Sequence, residues 1–317
     1  MLQILMDSRD GTIWDVSDIV SDVTWKTSRR GKASSLDFTM LKDERFKCGN
    51  GDVVKVCLGE RDVFYGYVFS IDSGKDENIK ITAYDQIRYL MANDTYVFEN
   101  VTAAQVVAKI AADFGLRAGA MADTKHRLSM IEDNKKLIDI ICKALDYTLF
   151  ATGEMYVLLD DFGQLTVRNV KEMTVDFFVG DRSLMTDYTQ KRSIDNDTYN
   201  RVKIVQNNKK TGRREVHIEQ HSGNIARWGL LQLYKTADEE KNAAQIREEL
   251  ASLMKLKNRE QRTLSVEALG DIRVRAGCFV PIAIEELGLN QYFLVDECTH
   301  KNIGDAAHTM SLELKVI

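Results

Sequence analysis

Apolar and polar residues alternate along much of the chain with a period of two, the spacing of a strand that buries one face and wets the other. Ile79, Ile81 and Ala83 alternate with Lys80, Thr82 and Tyr84, and Val54, Val56 and Leu58 share a face opposite Lys55. Leu264, Val266 and Ala268 repeat the pattern. Met310, Leu312, Leu314 and Val316 alternate with Thr309, Ser311, Glu313 and Lys315. Turn chemistry separates these runs: Asn50-Gly51, Asp161-Phe162-Gly163 and Thr211-Gly212. The stretch Tyr199–Gln220 therefore predicts a long hairpin with a basic tip, Lys209, Lys210, Arg213 and Arg214.

Three helices interrupt the strands. Thr102-Ala103-Ala104-Gln105 reads as a capping box, followed by Val106, Val107, Ile110, Ala111 and Phe114, with Gly115 as the stop. A second helix is expected from about Asp133 to Asp146, with Leu137, Ile138, Ile140, Ile141, Ala144 and Leu145 inward. A third is expected over 237–257, where Ile246, Leu250, Leu253 and Met254 make an apolar stripe on a charged helix. The fold class expected is α+β, mainly β, with two β domains and a mixed helical insertion. The boundaries read as 1–95 for the first β domain, with part of 185–235 available to complete it. The insertion follows at 96–184, and 185–317 forms the second β domain with the long helix.

A chain of 317 residues exceeds what one core usually organises, so more than one domain is the expectation. The net charge of -5 argues against a protein that binds nucleic acid by neutralising phosphates. Cys48, Cys57, Cys142, Cys278 and Cys298 are odd in number and far apart, the usage of reduced thiols rather than of disulfides or zinc sites. The opening Met1-Leu2-Gln3-Ile4-Leu5-Met6 meets Asp7 without a basic leader, and the apolar run Cys278–Ile284 is too short to cross a bilayer. Neither secretory export nor membrane anchoring is expected.

Candidate chemistry thins out on inspection. Asp161-Phe162-Gly163 matches the magnesium-binding triplet of kinases, but no catalytic HRD loop or phosphate-covering glycine loop accompanies it, and it falls between two strand-like runs. His217 and His221 have the spacing of a helical metal pair, yet in a strand that spacing separates them by roughly 13 Å. His300 and His308 flank a loop with Asp305, without a third ligand at definable spacing. Asp195-Asn196-Asp197 begins like a calcium loop, but Asn200 stands where its glycine belongs. No catalytic, cofactor or metal residues are assigned. The basic hairpin tip reads as a solvated turn or as an electrostatic contact with an acidic partner subunit.

An ordered series of motifs runs through the second half. Tyr199-Asn200-Arg201-Val202, Ser222-Gly223-Asn224-Ile225 and Trp228-Gly229-Leu230-Leu231-Gln232 precede the third helix. Thr263-Leu264-Ser265-Val266, Gly270-Asp271, Arg275-Ala276-Gly277, Tyr292-Phe293-Leu294-Val295 and Thr299-His300-Lys301 follow it. The first half adds Gly51-Asp52-Val53-Val54, Phe64-Tyr65-Gly66, Ala83-Tyr84-Asp85 and Arg88-Tyr89-Leu90. The series resembles the baseplate hub proteins of contractile phage tails and phage-tail-like bacteriocins, the late-control protein D family, and within it the XkdQ/YqbQ-like branch. The resemblance covers most of the chain.

That resemblance implies two tail-tube-like β-barrel domains per subunit, so that three subunits imitate a six-membered tube ring and join it to a threefold spike. It implies a homotrimer without enzymatic activity or cofactor. The implied partners are the tail tube protein, the central spike protein and other baseplate proteins, with a tape-measure protein as a further candidate in the lumen. No specific nucleic-acid binding is implied. The implied location is the baseplate of a virion or bacteriocin particle assembled in the bacterial cytoplasm. Asn200, Arg201, Gly229, Gly270 and Gly277 stand as structural motif residues. Trp228, Lys209, Lys210, Arg213 and Arg214 stand as candidate subunit contacts. A helix stripe packed on a barrel built from Leu264–Leu269 and 309–316 completes the expectation. The competing class is a cell-envelope hydrolase or carbohydrate-binding module, with His300 and His308 as its region of interest.

Overall fold

The computed structural model describes residues 1–208, 213–237 and 241–315. The chain packs as two compact units, residues 1–189 with 265–317, and residues 190–264. The architecture is mainly β with helices between strands, as the patterning predicts.

In the first unit the alternating segments become one open sheet. From Val20–Ser28 it continues on one side through Ser35–Leu41, Asn78–Tyr84, Arg61–Ser73, Val53–Leu58, Leu2–Asp7 and Ile13–Asp15. On the other side it continues through Leu289–Lys301, Thr309–Lys315, Gln261–Leu269 and Met185–Ser193. The join pairs Thr24–Ser28 with Glu297–Lys301 in antiparallel register, setting Trp25 opposite His300. Alternation becomes burial. Leu36, Phe38 and Met40 sit in a core with Ile4, Met6, Trp25, Val54, Val56 and Ile81. Among the described residues no ladder closes this sheet into a barrel, which differs from the closed barrels expected. The reason lies in Leu289–Lys301. Along one edge its first half pairs with Phe279–Ile284 and its second half, from Glu297, with Thr24–Ser28, while Thr309–Lys315 pairs along the other edge from Leu294 onward. The ladder therefore branches instead of returning on itself.

Between Tyr84 and Val179 the same unit carries a helical layer. Helix α1, Ala103–Asp113, starts at the predicted capping box, where Thr102 Oγ1 accepts from Gln105 N at 3.3 Å and Gln105 Oε1 accepts from Thr102 N at 2.9 Å. Helix α2, Leu137–Thr152, begins later than the expected Asp133. Leu128, Met130 and Glu132 are buried on one face of the strand Arg127–Lys136, and its pairing with Asn93–Thr102 runs to Lys136. Cross-strand pairing wins over the helical propensity of those residues. The two helices bury Val106, Val107, Ile110, Ile138, Ile140 and Ile141 in a core of their own. Asp161–Gln164 is the turn joining Tyr156–Asp160 to Leu165–Asn169, with Phe162 (φ 48) and Gly163 (φ 84) left-handed, so the kinase-like triplet is a hairpin turn.

In the second unit Arg201–Asn208 pairs antiparallel with Arg213–Gln220, as predicted, and parallel with Gln232–Thr236. Helix α3, Ser222–Trp228, is short. Helix α4, Ala243–Lys257, starts six residues later than expected, at an Asn242 capping box whose Oδ1 accepts from Ala244 and Gln245 amides at 3.0 Å. Its stripe, Ile246, Leu250 and Met254, packs on Val202, Ile204 and Ala237. The strands Leu264–Leu269 and 309–316 were the expected bed. The hairpin supplies a nearer one, because Val202 and Ile204 alternate onto one face of the sheet that flanks the helix.

Candidate functional site

Asn200 and Gly229, two of the predicted motif residues, meet in the second unit. Asn200 is fully buried. Its Nδ2 donates to the Gly229 carbonyl at 2.7 Å, and its Oδ1 accepts from the Leu231 amide at 2.9 Å. Its backbone carbonyl accepts from His221 N at 2.9 Å, and its amide donates to Leu231 O at 2.9 Å. One residue thus clamps both ends of the segment that holds α3, its backbone carbonyl at His221 and its side chain at Gly229 and Leu231. Gly229 is left-handed in φ (79) and ends α3, its amide donating to Ile225 O. Replacing Asn200 by Ala removes two part-buried hydrogen bonds, so Asn200→Ala is expected to destabilise this unit by about 1–3 kcal/mol. Urea unfolding followed by circular dichroism checks it, and a loss below about 0.5 kcal/mol contradicts the clamp.

The opposite face of this small sheet is apolar and exposed. Val216, Ile218 and Tyr234 are each nearly half exposed, and Lys203 lies over the Tyr234 ring at 5.8 Å. Arg201 faces the same side, its Nε buried without an acceptor among the described residues. Trp228 is half-buried with Arg227 over its ring at 5.9 Å. Arg214 is exposed, and its Nε donates to Asn207 Oδ1 at 3.2 Å. Lys209, Lys210 and the side chain of Arg213 lie outside the described residues. His221 lies beyond the strand that holds His217 and caps α3, its Nδ1 accepting from Asn224 N at 3.1 Å.

In the first unit, Gly270 and His308 are interlocked. A Cβ on Gly270 would lie 2.2 Å from the His308 ring. The ring in turn places Nε2 at 3.1 Å from Nδ1 of His300, whose own Nε2 lies 2.8 Å from the Val274 carbonyl. A carbonyl only accepts, so His300 carries its proton on Nε2 and accepts from His308 through Nδ1. Burial holds His300 neutral, its pKa lowered to about 4, and lowers that of His308 as well. Cys298 Sγ lies 3.3 Å from His300 Nε2, in a fully buried position whose desolvation raises the thiol pKa. This is a structural stack. No cluster of three or more metal-ligating side chains occurs among the described residues. Gly277 (φ 92) brings its backbone against Val157, where a Cβ would stand 3.2 Å from Cγ2.

Sequence reasoning missed what the stack leads to. Trp25 stacks on His300 at 5.4 Å, and the Arg275 guanidinium lies 5.6 Å from the Trp25 ring. Arg275 Nη2 donates to the Asp160 carbonyl at 3.0 Å. Asp160 is buried, accepting from Gly163 N at 2.6 Å and from Gln86 N at 3.4 Å and Nε2 at 3.3 Å. Asp85 is buried beside it, accepting from Ser34 N at 3.1 Å and Ile87 N at 3.0 Å. Burial first, and then the Asp160 charge, raise the Asp85 pKa to about 7; burial raises that of Asp160. The available signal was Tyr156–Asp160, an apolar run that ends on an acid and is buried throughout. A shallower groove of about 550 Å³ is bordered by Lys26, Lys32, Arg88 and Lys136 on this unit.

A family model described as YQBQ-like matches residues 23–315. The chain belongs to the YQBQ-like family. The phage-like element PBSX protein XkdQ of Bacillus subtilis (strain 168) is 29% identical to this YQBQ-like chain over 273 residues, 85% of this chain and 82% of that protein. The prophage MuSo2 43 kDa tail protein from Shewanella oneidensis has a TM-score of 0.70 at 16% identity, covering 99% of this chain and 98% of its own. The E. coli c3393 protein, a type VI secretion component structurally similar to T4 tail proteins gp27 and gp5, has a TM-score of 0.58 at 10% identity. It is covered over 77% of its length and covers the whole of this YQBQ-like chain. At these identities the solved structures show that the fold is shared.

Proposed function

We propose that this protein is the structural baseplate hub of a contractile injection system, a trimeric adaptor that joins a sixfold tail tube to a threefold central spike. The observation that carries the reading is a fold shared almost end to end with a prophage tail protein, in a family whose relatives include a phage-like element protein. The likeness to a secretion component itself similar to tail proteins gp27 and gp5 supports the same reading. In it, 1–95 and 185–317 act as tube-like modules and 96–184 as the peripheral insertion, three subunits together supplying six modules to the ring.

The partners are two further copies of the chain, the tube protein, the spike protein and neighbouring baseplate proteins, in a particle assembled in the bacterial cytoplasm. The work is geometric and needs neither cofactor nor catalysis. Exposed apolar residues on a sheet face, such as Val216, Ile218 and Tyr234, suit contacts between subunits. Trp228 and the basic residues Lys209, Lys210, Arg213 and Arg214 are further candidates for contacts that set register.

Light scattering of the purified chain is expected to give a mass near three times 36.0 kDa, and negative-stain images a threefold ring. A monomer that stays monomeric with added spike protein, and instead binds peptidoglycan or glycans, overturns the hub and favours an envelope-binding module.

A further inference from the structure

Two buried N–H groups in the first unit have no acceptor on the described residues, Nε1 of Trp25 and Nε of Arg275. Both residues line the same small cavity, together with Ser34, Tyr65, Asp85 and Asp160. The coincidence is informative, because buried donors are nearly always satisfied. Trp25 is 3% exposed and cannot reach solvent by a rotamer change. The two carboxylates receive backbone and amide donors, but each carboxylate offers about four acceptor sites. The hydrogen bonds to Asp85 and Asp160 leave some of those sites open.

The lining decides what can fit. A cation would face two N–H donors, one on a guanidinium. An anion would face two aspartates. A ligand is required that accepts and donates at once, and the space, about 10 Å³, is enough for the centre of one water. We propose that this cavity is a binding site for a single internal water, which accepts from Trp25 Nε1 and Arg275 Nε and donates to the carboxylates of Asp85 and Asp160. Its four partners come from four separate stretches of the chain. Trp25 is on the central strand Val20–Ser28, Arg275 lies just before Phe279–Ile284, and Asp85 and Asp160 lie at the root and in the middle of the helical layer. The water therefore adds to the direct bonds, from Ser34 N to Asp85 and from Arg275 Nη2 to the Asp160 carbonyl, that fasten that layer to the sheet. The inference does not depend on the hub reading, since it concerns only the inside of one unit.

Two measurements on the full chain test it. A crystal structure that orders buried waters is expected to show one density peak about 2.7–3.2 Å from Trp25 Nε1, Arg275 Nε and one oxygen of each aspartate. A cavity without density, with Trp25 Nε1 donating directly to a carboxylate, overturns the proposal, as does a peak with the distances of a metal ion. Independently, the Trp25 indole N–H, assigned by its loss in Trp25→Phe, is expected to show a cross-relaxation peak to a long-lived water in nuclear magnetic resonance. Absence of that peak, with the other indole signals resolved, also overturns it.

Discussion

Replacing Gly66 with alanine is expected to cost roughly 3 kcal/mol, the upper end of what overpacking a core does. Gly66 lies in the interior of Arg61–Ser73, opposite Val54. A Cβ there would stand 2.4 Å from the Tyr84 carbonyl oxygen and 2.5 Å from Cζ of Phe64. The carbonyl belongs to Asn78–Tyr84, which is paired on both sides, with Ser35–Leu41 and with Arg61–Ser73 itself. It cannot retreat without breaking a ladder in the middle of the sheet. Gly74, at the end of the same hairpin arm, has nothing within 4 Å of an added Cβ. Gly74→Ala should therefore change stability by less than about 0.5 kcal/mol. Thermal unfolding of the two variants beside the parent reads the difference, at roughly 2–4 °C per kcal/mol for a unit of this size. Equal melting temperatures would show that the sheet yields where its packing says it cannot.

Arg275→Met should have an effect of similar size, with a dependence on pH. The substitution keeps most of the side-chain volume over Trp25 but removes the hydrogen bond to the Asp160 carbonyl and the positive charge near two buried carboxylates. Losing a hydrogen bond from a charged donor costs about 1.5–3 kcal/mol. The direction with pH follows from Asp85. Burial raises its pKa to about 7, above the value of about 3.9 for a carboxyl in the unfolded chain. The folded protein therefore binds this proton more tightly, and the stabilisation it brings is fully present below the unfolded value. It is lost as pH rises through the folded one. Arg275 opposes the upward shifts of both Asp85 and Asp160, so its removal moves the window of loss to higher pH. Urea midpoints measured at about pH 5 and about pH 8 should show the variant much weaker than its parent at the higher value and less so at the lower. The same loss at both would remove the carboxylates from the explanation.

Much of the fold was legible because burial on one face writes itself into alternation. The strands around Ile81, Val54, Val266 and Leu312 needed only the period of two. The capping box at Thr102 placed α1, because the hydrogen bonds that define it are made within four consecutive residues. The hairpin over Arg201–Gln220 and the turn at Asp161–Gln164 were legible for the same reason: neighbours in sequence are the partners in space. The ordered motif series also carried family membership, since Asn200, Gly229, Gly270 and Gly277 each hold a close backbone approach or a hydrogen bond that few residues can replace.

Where partners lie far apart in sequence, local pattern had no purchase. The expected start of α2 falls too early because Lys135 and Lys136 pair with Asp94 and Asn93, some forty residues upstream. The bed of α4 was misassigned for a related reason, as amphipathic periodicity says that a stripe is covered and not by what. Asp85, Asp160, Arg275 and Trp25 come from four separate stretches, and although Asp85 and Arg275 fall in the motif series, nothing local says that the four meet. The sequence alone determined the alternating strands, the body of α1, α2 and α4 and the family they compose, because those follow from short-range periodicity and from motif order, but it did not determine the short helix α3. Only the tertiary structure decided that the sheet runs unbroken from Ile13–Asp15 to Met185–Ser193 and that four polar side chains meet under it. Both depend on long-range register, which chain-distant hydrogen bonds set and no local window contains.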